Sequence, residues 1–407
     1  MPLLAVDQGV YSASNFAVAA LAGRALGADD FGRFAFILLT ISIVGNLARA
    51  VWHEPDLAAV RAGTPAALGP RPALLGSVAL LALIVGIEGT SWPPIVGAAL
   101  AAALAQDRVR YRAIALGHGG RLLAGDLLWL TVVGSGLVGL VDVGSTAAIL
   151  QLWLVGAALG VTPHLGLRPA SGPCPDGHGH RDGPGSIGGR RRLALLTDFL
   201  LFTGMTQIGG LTLAAFLDID EFADLRGAII LFGPIGVLTS AVTTWIFASL
   251  EADDAAIAAV RGRAALLAGS SFVAVAAAAA VPRSVGEIVL GSGWPPRAVL
   301  VVIGLSVSCQ ALSTPGMMLL RLLDDRKRLL RLRLGAFATF AVATSGLAVA
   351  TGSAAAVAVA YLGVNAALSG RVWLGLGQRN TPAPAAGQEE RTEPGPRQDR
   401  GQVPAQP

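Results

Sequence analysis

Few polar side chains interrupt the apolar stretches of this 407-residue chain, and those few are the groups that could do chemistry. Asp7, Gln8, Ser12, Ser14 and Asn15 fall in the first apolar stretch, with Arg24 near its end. Arg49 closes the second stretch, Asp126 and Asp198 each lie one turn into later ones, Gln207 is mid-stretch and Arg226 opens the next. Gln151, Gln310 and Asn365 are single amides. Ionisable groups at membrane depth are costly, so they pair, line a wet cavity or serve an ion or substrate path. At 3.6 residues per turn, Asp7, Tyr11, Ser14 and nearly Asn15 share one helix face. Such a stripe suits a cavity wall or an interhelical hydrogen-bond seam. Asp7, Asp126 and Asp198 are candidates for cation coupling or gating. The plainer alternative pairs them with Arg121, Arg192 or Arg49, or makes them helix caps. Guanidinium matches phosphate bidentately, so Arg24, Arg49 and Arg226 are candidates for a phosphate-bearing substrate's path, with snorkelling to the interface as the alternative. Pro234 and Pro315 each remove a backbone donor inside an apolar stretch and are hinge candidates.

Other chemistry finds little support. Cys174-Pro175-Asp176-Gly177-His178-Gly179-His180 has metal-ligand residue types, but it holds one cysteine in a Gly/Pro-rich loop, and a closed zinc site wants four ligands. Cys174 and Cys309 do not form a disulfide framework. No Walker A, Gly-x-Ser-x-Gly or His-Glu-x-x-His pattern occurs. The expectation is a protein that is not an enzyme, without metal or cofactor, driven by an ion gradient, membrane potential or the substrate's own gradient.

The elements that must position these groups are membrane helices. Hydrophobic residues make up 53% of the chain and charged residues 14%, and the mean hydropathy is +0.63. A soluble domain carries about 25% charge. The apolar blocks are long enough to cross a hydrocarbon core of about 30 Å as helices. We read twelve spans, near 4–26, 32–52, 73–90, 93–113, 121–141, 144–162, 193–217, 223–249, 264–281, 298–320, 334–351 and 353–377. The fold class expected is therefore an all-α polytopic membrane protein in two six-helix halves. The halves are 1–162 and 193–378, joined by a linker at 163–192 and followed by a disordered cytoplasmic tail at 379–407, which lacks the apolar residues for a core.

Arginines concentrate after the even-numbered spans, among them Arg61, Arg71, Arg108, Arg110, Arg112, Arg121 and Arg190–Arg192. The positive-inside rule then places the protein in the cytoplasmic membrane with both termini cytoplasmic. The net charge of +4 reflects these loops, and no nucleic acid is expected. The first span begins almost at Met1, and no cleavable signal is expected.

One stretch recurs. Asp7 precedes Asp29-Asp30-Phe31, and Asp198 precedes Asp220-Glu221-Phe222, with the same 24-residue spacing from first Asp to Phe. A repeat at half the chain length is a common way to build a transporter.

The chain also resembles a known family. Asp7-Gln8, Ser14-Asn15-Phe16, Ala22-Gly23-Arg24-Ala25-Leu26-Gly27 and Phe31-Gly32-Arg33-Phe34 resemble the opening of polysaccharide flippases of the Wzx type. These belong to the MOP exporter superfamily, with the MATE exporters and lipid II flippases. Gln106-Asp107-Arg108, Arg110-Tyr111, Gly117 and Asp126-Leu127-Leu128-Trp129 resemble its fourth and fifth helices. Arg226-Gly227-Ala228, Leu231-Phe232-Gly233-Pro234 and Leu290-Gly291-Ser292-Gly293-Trp294 add to the likeness, which runs from Asp7 to about Leu376. It implies a MOP/MATE-like V-shaped pair of bundles, alternating access, and movement of a lipid-linked saccharide, usually on polyprenyl pyrophosphate, between leaflets of the bilayer. Polysaccharide polymerases are the implied partners. Lipid flippases of this group have a strongly cationic cavity; here charge inside the spans is sparse and arginines sit near span ends. The leading expectation is thus a flippase for a lipid-linked saccharide. A MATE-like ion-coupled antiporter of small molecules is the alternative. A membrane glycosyltransferase is disfavoured because the loop holding Asp29-Asp30 is too short to hold an acceptor, and a non-transporting scaffold is the remaining reading.

Overall fold

The computed structural model describes residues 2–49, 53, 93–141, 143–165, 197, 207, 209–249, 254–323 and 325–377. Twelve α-helices are described in full. The N-terminal set is α1 (Pro2–Ala25), α2 (Ala28–Ala48), α3 (Pro93–Ala115), α4 (Gly119–Leu137) and α5 (Thr146–Val161), which ends in a 3-10 turn at Thr162–His164. The C-terminal set is α6 (Ile219–Leu231), α7 (Gly233–Ser249), α8 (Asp254–Ala280), α9 (Arg283–Leu290), α10 (Arg297–Leu322), α11 (Arg326–Thr351) and α12 (Ala354–Gly377). No strand occurs among the described residues.

Six of these helices are long and apolar enough to cross a membrane, and Ile219–Leu231 with Gly233–Thr239 forms a seventh, bent by 42°. In hydrocarbon only a helix satisfies all of its own backbone groups, which is why apolar runs of this length fold this way. The helix ends carry local signals. The Ser145 side chain accepts from the Ala148 amide to start α5, and Asp325 does the same for Arg328 at α11.

Two apolar cores form. One gathers Val18, Phe34, Val133, Ile149 and Leu150 of the N-terminal helices. The other gathers Phe232, Ile303, Phe340, Val357 and Val372 of the C-terminal helices. Exchange between them is small: Ala20, Ala35, Leu39 and Ile43 reach into the C-terminal core, and Ala223 into the N-terminal one. Two bundles result, α1 packing on α4 and α3 on α5 in one, α10 on α8 and α12 in the other. They meet where α2 lies on α6 and where α1 lies on α7 and α9.

The spans expected from sequence compare as follows. Those near 4–26, 32–52, 93–113, 121–141 and 144–162 correspond to α1–α5. The span at 223–249 is divided into α6 and α7 at Phe232, directly before Pro234, because proline cannot donate into the preceding turn. Pro315 leaves α10 unbroken as a helix. The helix α9 is an addition, a short amphipathic piece that buries Gly286 and Leu290 while exposing Val285, Ile288 and Val289. The span at 73–90, most of 193–217, nearly all of the linker and the whole tail lie outside the described residues.

Both copies of the repeat open a helix in the same way. Phe31 in the first turn of α2 and Phe222 in the first turn of α6 are fully buried, while Asp29, Asp30 and Asp220 are exposed. Truncating a buried phenylalanine costs about 3–5 kcal/mol. Phe31→Ala and Phe222→Ala are each expected to lower the thermal midpoint of the detergent-solubilised protein sharply, whereas Arg33→Ala, at an exposed neighbour, shifts stability by less than about 0.5 kcal/mol. Equal midpoints for all three variants would refute the anchoring role of the phenylalanines.

Candidate functional site

The site is built from charges buried inside the N-terminal bundle. Asp7 on α1 is completely buried, as is Asp126 on α4, and Arg110 on α3 lies between them. One Arg110 terminal nitrogen is 2.8 Å from Asp7 Oδ2 and 3.0 Å from Asp126 Oδ2. One turn back on α3, Asp107 stands 4.0 Å from the other terminal nitrogen of Arg110. Asp107 also receives Arg49 of the α2 end bidentately, Nε to Oδ2 at 2.5 Å and Nη2 to Oδ1 at 2.7 Å. Arg49 Nη2 donates to the Tyr11 hydroxyl at 2.7 Å, and the Arg110 guanidinium lies 3.8 Å from the centre of the Tyr11 ring. Gln106 donates to Asp126 Oδ1 at 3.4 Å.

Four helices are therefore tied together by three carboxylates and two guanidiniums. Burying such charges costs several kcal/mol per ion unless each is paired, so the network constrains how α1–α4 pack. The pairing is incomplete by one charge. Asp7 Oδ1 is buried without a hydrogen-bond partner among the described residues. The two carboxyls converge on the same terminal nitrogen of Arg110. An ionised carboxylate only accepts, whereas a protonated one donates. Three carboxylates against two guanidiniums leave the five-residue cluster with one negative charge in excess.

Small residues let α5 approach. A Cβ on Gly125 would fall 2.5 Å from the Gly160 carbonyl oxygen and 3.1 Å from His164 Nε2. His164 is buried, and neither ring nitrogen has a hydrogen-bond partner. Aromatic rings continue from the cluster: Tyr11 packs on Trp129 at 5.4 Å between centroids, and Trp129 on Trp153 at 6.2 Å.

A cavity of about 330 Å3 opens beside this wall, between the two bundles. Tyr11, Asn15, Ser42, Arg49 and Asp107 line it from the N-terminal side; Gln207, Arg226, Ile230 and Pro234 line it from the C-terminal side. Arg49 is paired, whereas Arg226 has no ion-pair partner among the described residues, and its Nε is buried without a hydrogen-bond partner among them. Gln207 Oε1 is also buried and unpartnered.

The residues singled out from sequence divide accordingly. Asn15, Arg49, Gln207, Arg226 and Pro234 meet at the cavity. Asp7 and Asp126 belong to the ion network behind its wall. Their partner is Arg110, not Arg121, Arg192 or Arg49 as the simple pairing supposed. Ser14 is buried and donates to the Val10 carbonyl, so its hydroxyl serves the helix itself. Arg24 stands apart, exposed at the far end of α1, donating to the Leu137 carbonyl at 3.3 Å. The Gln8 side chain and Asp198 lie outside the described residues. Pro315 is buried within α10, away from the cavity lining. The arginines sit near span ends as read from sequence, and the structure gathers Arg49 and Arg226 on the cavity with Arg110 buried beside it.

Arg110, Asp107 and Gln106 were missed as site residues. Arg108, Arg110 and Arg112 read together as a basic loop. Successive residues turn by about 100° on a helix, so Arg108 and Arg112 share one side of α3 and Arg110 faces the other. The spacing Asp107-x-x-Arg110, one turn apart, was the available signal.

No protein-family profile matches the chain, and no curated protein matches it. Solved structures share its fold. The lipid II flippase MurJ in an inward closed conformation superposes with a TM-score of 0.63 at 9% identity, covering 93% of this chain and 88% of MurJ. The Vibrio cholerae MATE transporter VcmN gives a TM-score of 0.54 at 14% identity, covering 92% and 94%. A MATE transporter in complex with MaD5 gives 0.58 at 12% identity, covering 93% and 94%. The chain has an all-α, MOP/MATE-like fold and is a multi-pass membrane protein.

The charge count can be tested directly. Arg110→Met leaves three carboxylates facing one guanidinium and is expected to cost about 3–5 kcal/mol. Asp126→Asn leaves two against two and is expected to cost about 1 kcal/mol or less. Thermal unfolding in detergent at neutral pH ranks the two; equal losses would contradict the excess of one carboxylate.

Proposed function

We propose that this protein is an alternating-access transporter of the cytoplasmic membrane that moves a lipid-linked saccharide from the cytoplasmic to the outer leaflet, in polysaccharide or cell-envelope biosynthesis. The observation that carries this reading is Arg226, a guanidinium with no carboxylate partner among the described residues, on the wall of a cavity between two bundles. An uncompensated guanidinium in a partly buried wall favours an anionic group, and phosphate fits its fork bidentately. The pyrophosphate of a polyprenyl carrier supplies that group. Arg49 adds positive charge on the opposite wall while remaining bound to Asp107.

Under the positive-inside rule the Arg49 end of the cavity faces the cytoplasm, where a lipid-linked precursor is made. The coupling element we infer is a proton taken up by the carboxyl pair of Asp7 and Asp126, which would cancel the excess negative charge of the cluster. Its loss leaves two carboxylates competing for one terminal nitrogen of Arg110 and loosens α1 from α3 and α4. The bend at Phe232, beside Pro234, gives the C-terminal wall a place to flex.

A specific observation favours a second reading, a MATE-like antiporter of small molecules. The acid pair and the aromatic run of Tyr11, Trp129 and Trp153 suit proton-driven export of an organic compound.

Polyprenyl-linked glycans measured by mass spectrometry in a deletion strain separate the two. The flippase reading expects one lipid-linked oligosaccharide to accumulate, wild-type protein to clear it, and Arg226→Gln to fail although it is made and folded. Normal glycan levels, in a strain without a redundant paralogue, together with increased sensitivity to organic cations, would replace it by the antiporter reading. Asp126→Asn is expected to flatten the pH dependence of clearance, or of drug resistance, under either reading.

A further inference from the structure

The cavity is stoppered at one end by backbone contacts between the bundles. On α1 its lining reaches Ala19, and on α2 it reaches Leu38. About one turn further along α1, Gly23 lies against the Leu290 carbonyl, and Gly291 lies against the Gly23 carbonyl in return. A side chain at either glycine would overlap backbone, and Gly291 holds φ at +54°, a conformation that suits glycine. On α2, a Cβ at Gly32 would come within 2.8 Å of Ile219 Cγ1 and 2.9 Å of the Ile219 carbonyl oxygen. Gly293 meets the Phe31 ring in the same way, at 2.9 Å from Cε1. Every one of these contacts joins an N-terminal helix to the α6 start or the turn after α9.

The seal is held by shape. All five described ion pairs lie within one bundle or the other, so none crosses it. At its rim the exposed Asp29 and Asp220 are neighbours from the two bundles. Flat glycine surfaces can part as rigid bodies without unlocking interdigitated side chains and without stranding a buried charge.

We propose that this glycine seal, formed by Gly23, Gly32, Gly291 and Gly293 against Leu290, Ile219 and Phe31, is the gate at the Arg24 end of the cavity. The proposal rests on the transporter reading, and its first arm is tested without a substrate. Ser42 lines the cavity and makes only a local bond to the Leu38 carbonyl, so Ser42→Cys is a mild reporter. It is placed in a chain carrying Cys174→Ser and Cys309→Ser, in oriented vesicles. A membrane-impermeant thiol reagent is applied from the Arg24 side. Gly32→Leu and Gly23→Leu wedge the seal and are expected to raise labelling about tenfold, the shift of a two-state equilibrium by one decade. In a separate chain that keeps Ser42 and carries Cys174→Ser and Cys309→Ser, a short reducible thiol cross-linker bridges Asp29→Cys and Asp220→Cys across the seal. Cross-linking is expected to abolish glycan clearance in cells, and release by reductant to restore it. The wedge variants test opening and the cross-linked pair tests closing, so misfolding of a wedge leaves the second arm decisive. Labelling unchanged by the wedges in folded protein, or clearance that persists in the cross-linked state, overturns the gate. A gate that responds in a chain whose deletion traps no glycan would instead overturn the substrate assignment alone.

Discussion

Everything in the N-terminal bundle depends on one constraint: Arg110 is buried between two carboxylates where water cannot screen it. A charge in such surroundings must be met by opposite charge and by hydrogen bonds, and each of its neighbours supplies one of these. Asp7 fixes α1 against α3, and Asp126 fixes α4 against the same point. Asp107 passes the contact to Arg49 and so to α2. Tyr11 presents its ring to one guanidinium and its hydroxyl to the other. Such a lattice cannot slide by fractions of an ångström. It changes by discrete exchange of a proton or a partner, which is the behaviour a coupling element needs.

The C-terminal bundle is held by different means. Asn365 donates to Ser306 at 2.9 Å, Ser369 to the Cys309 carbonyl at 2.6 Å and Trp373 to the Leu312 carbonyl at 2.9 Å, all fastening α12 onto α10. These bonds are neutral and do not respond to a proton. The charge that this bundle brings to the cavity is Arg226, which has no carboxylate partner among the described residues. On the reading proposed above, one bundle thus holds the titratable machinery and the other presents the substrate contact. The cavity between them is where the two act on each other.

Much of this was legible in the residues. Length and apolarity fixed the class and most helix positions, because hydrocarbon leaves a long apolar run few ways to satisfy its backbone. Asp7, Arg49, Asp126 and Arg226 stood out for the converse reason, as charges inside such runs. The partner did not stand out. Arg110 lies near the end of its run, among two other arginines, and only the helical phase separates it from them. Arg24, chosen for its place near a span end, lies apart from the cavity because α1 carries it to the far rim. The break at Phe232 was foreshadowed by Pro234, while Pro315 shows that proline in a run does not by itself break a helix. The glycine contacts across the bundles were invisible, because a sequence rich in glycine gives no sign of which few meet a backbone from the other half.

The repeat ties these pieces together. Its two copies supply the first turns of α2 and α6, and these are the turns that meet at the seal, with Asp29 and Asp220 at equivalent positions. The charge network lies at the other end of the bundle. One element touches both: α1 is an unbroken helix of 24 residues that carries Asp7 and Tyr11 near its start and Gly23 near its end. The 16 residues from Asp7 to Gly23 span about 24 Å at 1.5 Å per residue. A helix of that length transmits tilt rather than local distortion. On the gate reading proposed above, a tilt of α1 at the Arg110 contact would displace the Gly23 backbone from Leu290. Glycine is what makes the seal responsive to so small a signal, since contacts between flat backbone surfaces fall away steeply over the first ångström of separation.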